Sequence, residues 1–344
     1  MHLTSLVNVL CLHAEERGLA AGRRWMTLSR SSLLAFICVP LLAHASAVAP
    51  PFHSVREPDD GYVWLTVGDV DNIKFEGYFG WFAGRGSVLY EYRIAQSEVL
   101  TAQHLEFVQA YWPFYDGDPL SEHFTGMFIT GWRQGNGYVY ESMPGWEDAP
   151  NTMSMRMAAR FCNWLHNGKV NEQWAFDKGV YDTSTFTRNP DGSYNDDYTR
   201  APDARYWIPT ADEWLKAVYY DPDRHGPGKG GWWIHPGSSD ERLRIEYPEN
   251  GGQTNGGLWE WYNSRLPAGM YPDVRTPWGL LDASGGASEH TTDGYSFGSS
   301  CLDDMLFVHH YDRAGQPHNS NGGRPDRGFL DGLRLAKPVR TPGK

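Results

Sequence analysis

The sequence predicts an α+β protein, a single irregular domain with few regular elements. Strand-like and helix-like patterns are both present, and both are short. The stretches 171–205 and 221–257 are long, polar and rich in Gly, Pro, Asn and Asp, as functional loops or insertions of a compact domain are. The 344 residues also carry 15 Trp, 19 Tyr and 15 Phe beside 38 Gly and 22 Pro. That composition suits a fold that fills a core poor in regular structure with large rings.

The pattern begins with a leader. Met26-Thr-Leu-Ser-Arg30 is a short basic lead, Leu33 to Leu42 is apolar, and Ala43-His-Ala45 offers small-residue cleavage sites. Translation is expected to start at Met26, with 26–45 a signal peptide and 1–25 an upstream extension. The apolar stretch is too short to span a bilayer, so the mature chain is expected to be exported, periplasmic or extracellular, without membrane insertion. Residues 46–60 read as a flexible approach, 61–338 as one domain and 339–344 as a tail. Lys and Arg number 30 against 42 Asp and Glu, a net charge of −12. Leader removal takes away four Arg and two Glu and leaves about −14. Nucleic acid is not an expected partner, because phosphate binding needs clustered cations.

Within the domain, Tyr62–Val67 and Val88–Ile94 are rich in aromatic and branched residues and predict strands. Thr101 predicts the cap of a helix through Tyr111, with Leu105 and Val108 inward. Glycine-punctuated residues 126–140 predict a hairpin. Ser154 opens the clearest helix, with Met157, Ala158, Phe161, Trp164 and Leu165 on one face and Gly168 at its end. Cys162 lies beside that face as a small core hydrophobe. Thr210 and Glu213 have capping-box spacing before a helix whose buried stripe is Trp214, Ala217 and Val218, stopped near Asp221-Pro222. Of four cysteines, Cys11 and Cys38 leave with the leader. Cys162 and Cys301 remain, as a disulfide or as two free thiols.

The chemistry concentrates in Trp278-Gly-Leu-Leu-Asp-Ala-Ser-Gly-Gly-Ala-Ser-Glu289-His290. The Gly285-Gly286 pair permits a turn that presents carbonyls and a carboxylate to one point. Before it stands Trp207-Ile-Pro-Thr-Ala-Asp-Glu-Trp-Leu-Lys-Ala217, after it Gly332-Leu-Arg-Leu-Ala336, and upstream Tyr92-Arg-Ile-Ala-Gln-Ser-Glu-Val99. In this order the blocks resemble the formylglycine-generating enzyme (sulfatase-modifying factor) family over roughly residues 60–338. The resemblance implies a C-type-lectin-like fold.

It also implies chemistry that the residues match unevenly. Family enzymes oxidise a substrate cysteine with oxygen, using copper held by two thiolates, and soft thiolates suit Cu(I). The corresponding stretch holds Ser300 and Cys301 but no second cysteine after them, so copper is not expected. A family calcium site would use Glu289, although Gly286 stands where the family has asparagine. His290 replaces a family tryptophan. Gly294-Tyr-Ser296-Phe-Gly298 matches a serine-hydrolase motif without the buried strand that motif requires. His309, His310 and His318 lack zinc spacing, and most of them read as surface residues, while Asn189–Asp197 reads as a solvated turn.

The functional expectation is a diverged family member acting as a ligand-, peptide- or glycan-binding module. Its face would comprise Glu289, with calcium, and His290, Asp293 and Asp304 as ligand-binding residues. Ser300 and Cys301 would be the remnants of catalysis, and Arg334 a structural anchor. The alternative is an oxidase that converts a sulfatase cysteine to formylglycine.

Overall fold

The computed structural model describes residues 54–56, 60–77, 81–258, 267–320, 325–326 and 331–339. The leader and much of the flexible approach lie outside them. A mixed α+β architecture of small sheets and few helices emerges, and its ends meet. Strands β1 (Ser54–Arg56), β2 (Val63–Val67) and β3 (Tyr92–Ala95) pair antiparallel in that order. Both sequence-predicted strands are present but shortened. Val88 instead donates its amide to the Asn72 side chain at 3.1 Å, inside a loop.

Helix α1 (Thr101–Tyr111) follows. Thr101 is its first residue rather than its cap, since the Leu100 amide is satisfied by Gln103 Oε1 at 2.8 Å. The inward residues are His104, Phe107 and Val108, whereas Leu105 is only half-buried. Phe107 meets Phe161, Trp164 and Phe176 at centroid distances of 5.3, 5.7 and 5.9 Å, within the range of favourable ring pairs.

After the short α2 (Glu122–Thr125), β4 (Ile129–Gln134) and β5 (Gly137–Ser142) form the expected hairpin. Helix α3 (Met155–His166) starts as expected at Ser154, whose hydroxyl accepts the Met157 amide at 3.3 Å. Its apolar face is buried, Cys162 completely so, and Gly168 takes a φ of +72° past its end. Helix α4 (Gln173–Asp177) packs beside it. Asn163 fixes the following loop by donating to the Phe176 and Tyr181 carbonyls, each at 2.9 Å.

Helix α5 (Ala211–Tyr219) carries the full capping box. The Glu213 amide donates to Thr210 Oγ1 at 3.1 Å, and the Thr210 amide to Glu213 Oε2 at 2.8 Å. The ribbon β6 (Tyr220–Asp221) and β7 (Gly231–Trp232) follows directly. A second sheet then forms from β8 (Ser288–His290) and β9 (Tyr295–Phe297). After α6 (Met305–Tyr311), β10 (Asn319–Ser320) and β11 (Asp331–Gly332) complete it in the order β10-β9-β8-β11.

The closing strand β12 (Ala336–Pro338) returns to the first sheet and pairs with β3. Leu333, Arg334 and Leu335 therefore link the two sheets, and all three are inaccessible to solvent. One hydrophobic core runs from Tyr62 to Ala336. Among the described residues no helix is long and apolar enough to cross a membrane.

Asn151 fixes several segments inside this core through its hydrogen bonds. Asn151 Nδ2 donates to His104 Nδ1 at 2.8 Å and to the Thr125 carbonyl at 3.2 Å. Its oxygen accepts the amides of Met127 at 2.9 Å and Thr152 at 3.0 Å. Burial pushes the His104 pKa down to about 3.

Two predictions follow from these contacts. Thr210→Ala should lower folding stability by about 1 kcal/mol, measured as a lower urea midpoint with an unchanged slope. His104 is neutral when folded and takes a proton near pH 6.5 when unfolded. Its contribution is therefore complete above that pH and declines as pH falls towards 3. Urea midpoints measured from pH 7 to 5 should fall more steeply for the native chain than for His104→Gln.

Candidate functional site

The sequence-predicted site splits into an interior half and a surface half. Glu289 and His290 are neighbours on β8 and point to opposite faces of it. Both faces of β8 are covered by packing, since Glu289 and His290 are each 1% exposed.

Glu289 meets a guanidinium where a calcium ion was expected. Its Oε1 accepts Arg334 Nη2 at 2.6 Å, and its Oε2 accepts Arg334 Nε at 2.8 Å and Trp214 Nε1 at 2.6 Å. Arg334 Nη1 donates to the carbonyls of Ala95 and Gln96, and Nη2 to that of Leu281. All five guanidinium donors are thus used, which is what makes a buried charge tolerable. Arg334 is the anchor that its place in the sequence suggested.

A second carboxylate, Glu98, stands at the edge of this centre. Its Oε1 accepts the Ala287 amide at 3.2 Å, while Oε2 lies 3.9 Å from Arg334 Nη2 and has no hydrogen-bond partner among the described residues. Burial holds the Glu98 carboxyl well above the usual range, against the pull of Arg334, and the charge on Glu289 adds to the rise. Glu98 therefore favours its neutral form more than a free carboxyl does, and Glu289 is the carboxylate that the guanidinium grips. Burial likewise raises nearby Asp282 to about 6. Gly286 is required here. At its φ of +60°, an added Cβ would fall 2.5 Å from Glu98 Oε1.

The remaining interior residues are structural in their contacts. His290 Nε2 pairs with the Met153 carbonyl at 2.7 Å. The Ser300 amide donates to Asp303 Oδ2 at 2.7 Å, and its hydroxyl accepts the Leu302 amide at 3.1 Å. Cys301 lines a gap of about 10 Å³ with Met127, Phe128 and Pro150, too small for a substrate. Burial pushes its thiol up to about 12 and also raises Cys162. Both cysteines are free thiols. Ser296 is fully buried on β9, away from any strand-to-helix elbow. His318 is no surface residue: it pairs with Asp303 at 2.7 Å, with 11% of its side chain exposed.

Asp293 and Asp304 reach the surface. Asp304 caps α6, accepting the Leu306 amide at 2.9 Å. Asp293 accepts Arg85 Nη2 and the Ala211 amide, each at 2.7 Å. Arg85 also holds Asp212 at 2.8 Å, and this hydrogen bond is the first cause of its raised pKa. Asp293 borders an open cleft of about 530 Å³ that also takes in Asp197, Thr199, Arg200, Thr210 and Thr292. The Thr292 amide ties its two sides together by donating to the Pro209 carbonyl at 3.0 Å. Arg200 forms a wall, donating to Glu213 at 2.9 Å with its guanidinium carbon 4.0 Å from the Trp207 ring centroid.

Sequence reasoning missed this cleft, as well as Glu98 and Arg85. Glu98 lies inside the quoted Tyr92–Val99 block, where its carboxylate was the available signal. The cleft joins segments some 80 residues apart in sequence, so no local pattern marks it.

No protein-family model matches this chain, and no curated protein does. Three solved structures are similar at low identity. Treponema denticola variable protein 1 shares 15% identity over 84% of this chain and 100% of its own, with a TM-score of 0.48. CarF shares 18% over 80% of this chain and 98% of its own, at 0.42. PvdO from Pseudomonas aeruginosa shares 14% over 83% of this chain and 98% of its own, at 0.45. Likeness at this level carries no argument about activity.

The buried pair yields a test of its own. Arg334→Met leaves Glu289 without its cation and should cost roughly 3–5 kcal/mol. Adding Glu289→Gln should recover part of that loss in urea unfolding, giving a non-additive double-mutant cycle.

Proposed function

We propose that this chain is an exported, diverged member of the formylglycine-generating enzyme family. On this reading it is a C-type-lectin-like domain that holds a peptide, protein or glycan and does not oxidise cysteine. The observation that carries the reading is the state of the two thiols. Cys162 lies in α3 beside Tyr62 and Tyr181. Cys301 lies before α6 beside Ser300, Asp303 and Glu98. They share no neighbour among these groups, and burial raises both thiols. A two-thiolate copper site needs two deprotonated sulfurs converging on one ion.

The ligand face on this reading is the cleft beside Asp293, an expected binding residue that borders open space of small-molecule size. Its rim offers hydroxyls from Thr199, Thr210 and Thr292 and the carboxylate of Asp197. Arg200 and Arg85 are already neutralised by Glu213 and by Asp212 with Asp293. Such a surface suits ligands rich in hydroxyl or amide groups better than strong anions.

Two measurements test the proposal. Mass spectrometry of a sulfatase-motif peptide incubated in air with copper-loaded protein should find its cysteine unchanged. Formylglycine in that peptide would establish the oxidase instead. Glycan and peptide arrays, read with calcium and with chelator, should retain a ligand that Thr292→Trp releases at least about tenfold. Retention unaffected by that substitution would remove the cleft from the proposal, and loss in chelator alone would assign calcium a part.

A further inference from the structure

A separate cleft, where the end of α1 meets α3 and α4, holds an arginine whose donors are largely unspent. Arg160 leaves α3 and passes between two rings, its guanidinium carbon 5.9 Å from the Tyr111 centroid and 5.5 Å from that of Phe186. Its Nη1 makes one long bond, 3.4 Å, to the Arg156 carbonyl of its own helix. Its Nε is buried with no hydrogen-bond partner among the described residues and stands 3.7 Å from Asp177 Oδ1. That oxygen is already accepting the Thr183 hydroxyl at 3.1 Å. One turn earlier, Arg156 grips Asp196 through two bonds of 2.7 and 2.6 Å. The contrast sets Arg160 apart, because a buried N–H without a partner is costly unless something supplies an acceptor.

The cleft measures about 340 Å³, the lower end of the range for small-molecule sites. Tyr111 and Phe114 give it an apolar wall, and Asp116, Asp177, Asp182 and Lys178 complete its charged lining. A simple anion would find the guanidinium but face three carboxylates. A simple cation would find the carboxylates but face Arg160 and Lys178. A molecule carrying both signs a few ångströms apart satisfies both sets.

We infer that this cleft binds a small zwitterion of the amino-acid type. The carboxylate lies on the Arg160 fork, whose planar donors match two carboxylate oxygens. The ammonium faces Asp116 and Asp182 at the rim, and an apolar side chain packs on Phe114 and Tyr111. The site contacts neither Cys301 nor the cleft at Asp293, so it stands apart from the reading proposed above.

Calorimetric titration of the full chain tests this with three molecules of one shape. L-phenylalanine carries both charges, 3-phenylpropanoate lacks the ammonium, and phenethylamine lacks the carboxylate. L-phenylalanine should bind, and each analogue should bind at least about tenfold more weakly. Arg160→Lys, which keeps the charge but loses the fork, should weaken L-phenylalanine by about tenfold or more. Asp116→Asn should weaken it by a smaller factor and leave 3-phenylpropanoate no weaker than before. Absence of heat with L-phenylalanine and L-leucine up to roughly 10 mM would overturn the inference. Equal binding of the analogues would do the same, as would unchanged affinity in a folded Arg160→Lys protein. Should that variant fail to fold, the analogue series on the native chain decides.

Discussion

The ion pair between Arg334 and Glu289 is the constraint on which the two sheets depend. Arg334 occupies the short link between β11 and β12, so its backbone bridges the two sheets. Its side chain reaches β8 through Glu289, the end of β3 through Ala95 and Gln96, and the glycine-rich turn through Leu281. Trp214 of α5 adds its indole to the same carboxylate and stacks on Phe297 of β9 at 5.2 Å. One charged pair therefore sets the positions of β3, β8, α5 and the turn together. Such a pair is not primarily a source of stability, because desolvation of both ions opposes their attraction. Its effect is to make one arrangement of the sheets far better than any with the guanidinium left unsatisfied.

The same logic recurs where the chain has little regular structure. Long loops place backbone polar groups near the core, and single side chains with several bonds satisfy them. Asn151 collects the segments around 104, 125–128 and 152, and Asn163 collects those around 176 and 181. Rings fill the space between, as in the cluster of Phe107, Phe161, Trp164 and Phe176. Open space for ligands is left to surface clefts such as those at Asp293 and Arg160.

Much of the fold was legible in the sequence wherever the signal is local. The Thr210–Glu213 box, the Ser154 cap, the α3 face and the β4–β5 hairpin depend on residues within a turn or two of each other. Thr101 misled because a hydroxyl near a helix start suggests a cap, whereas Gln103 reaching back to Leu100 did that work. The candidate site was legible only as a set of residue types. Glu289, His290, Ser300 and Cys301 look functional beside a glycine turn, yet β8 is an inner strand and its charges are met from within.

The sequence by itself determined the α+β class, the capped helices, the need for glycine at 285–286 and the importance of Arg334. The first three follow from local pattern and conformational preference, and the last from the resemblance carried by the Gly332-Leu-Arg334 block. Tertiary structure alone decided which charges face solvent. It turned Glu289 inward onto Arg334 and buried Glu98 beside them. It left Asp293 on an open cleft, and it held Arg160 between two rings with donors to spare. Those outcomes depend on what approaches a side chain from distant segments, because burial and the nearest opposite charge together fix whether a group is bonded, protonated or free.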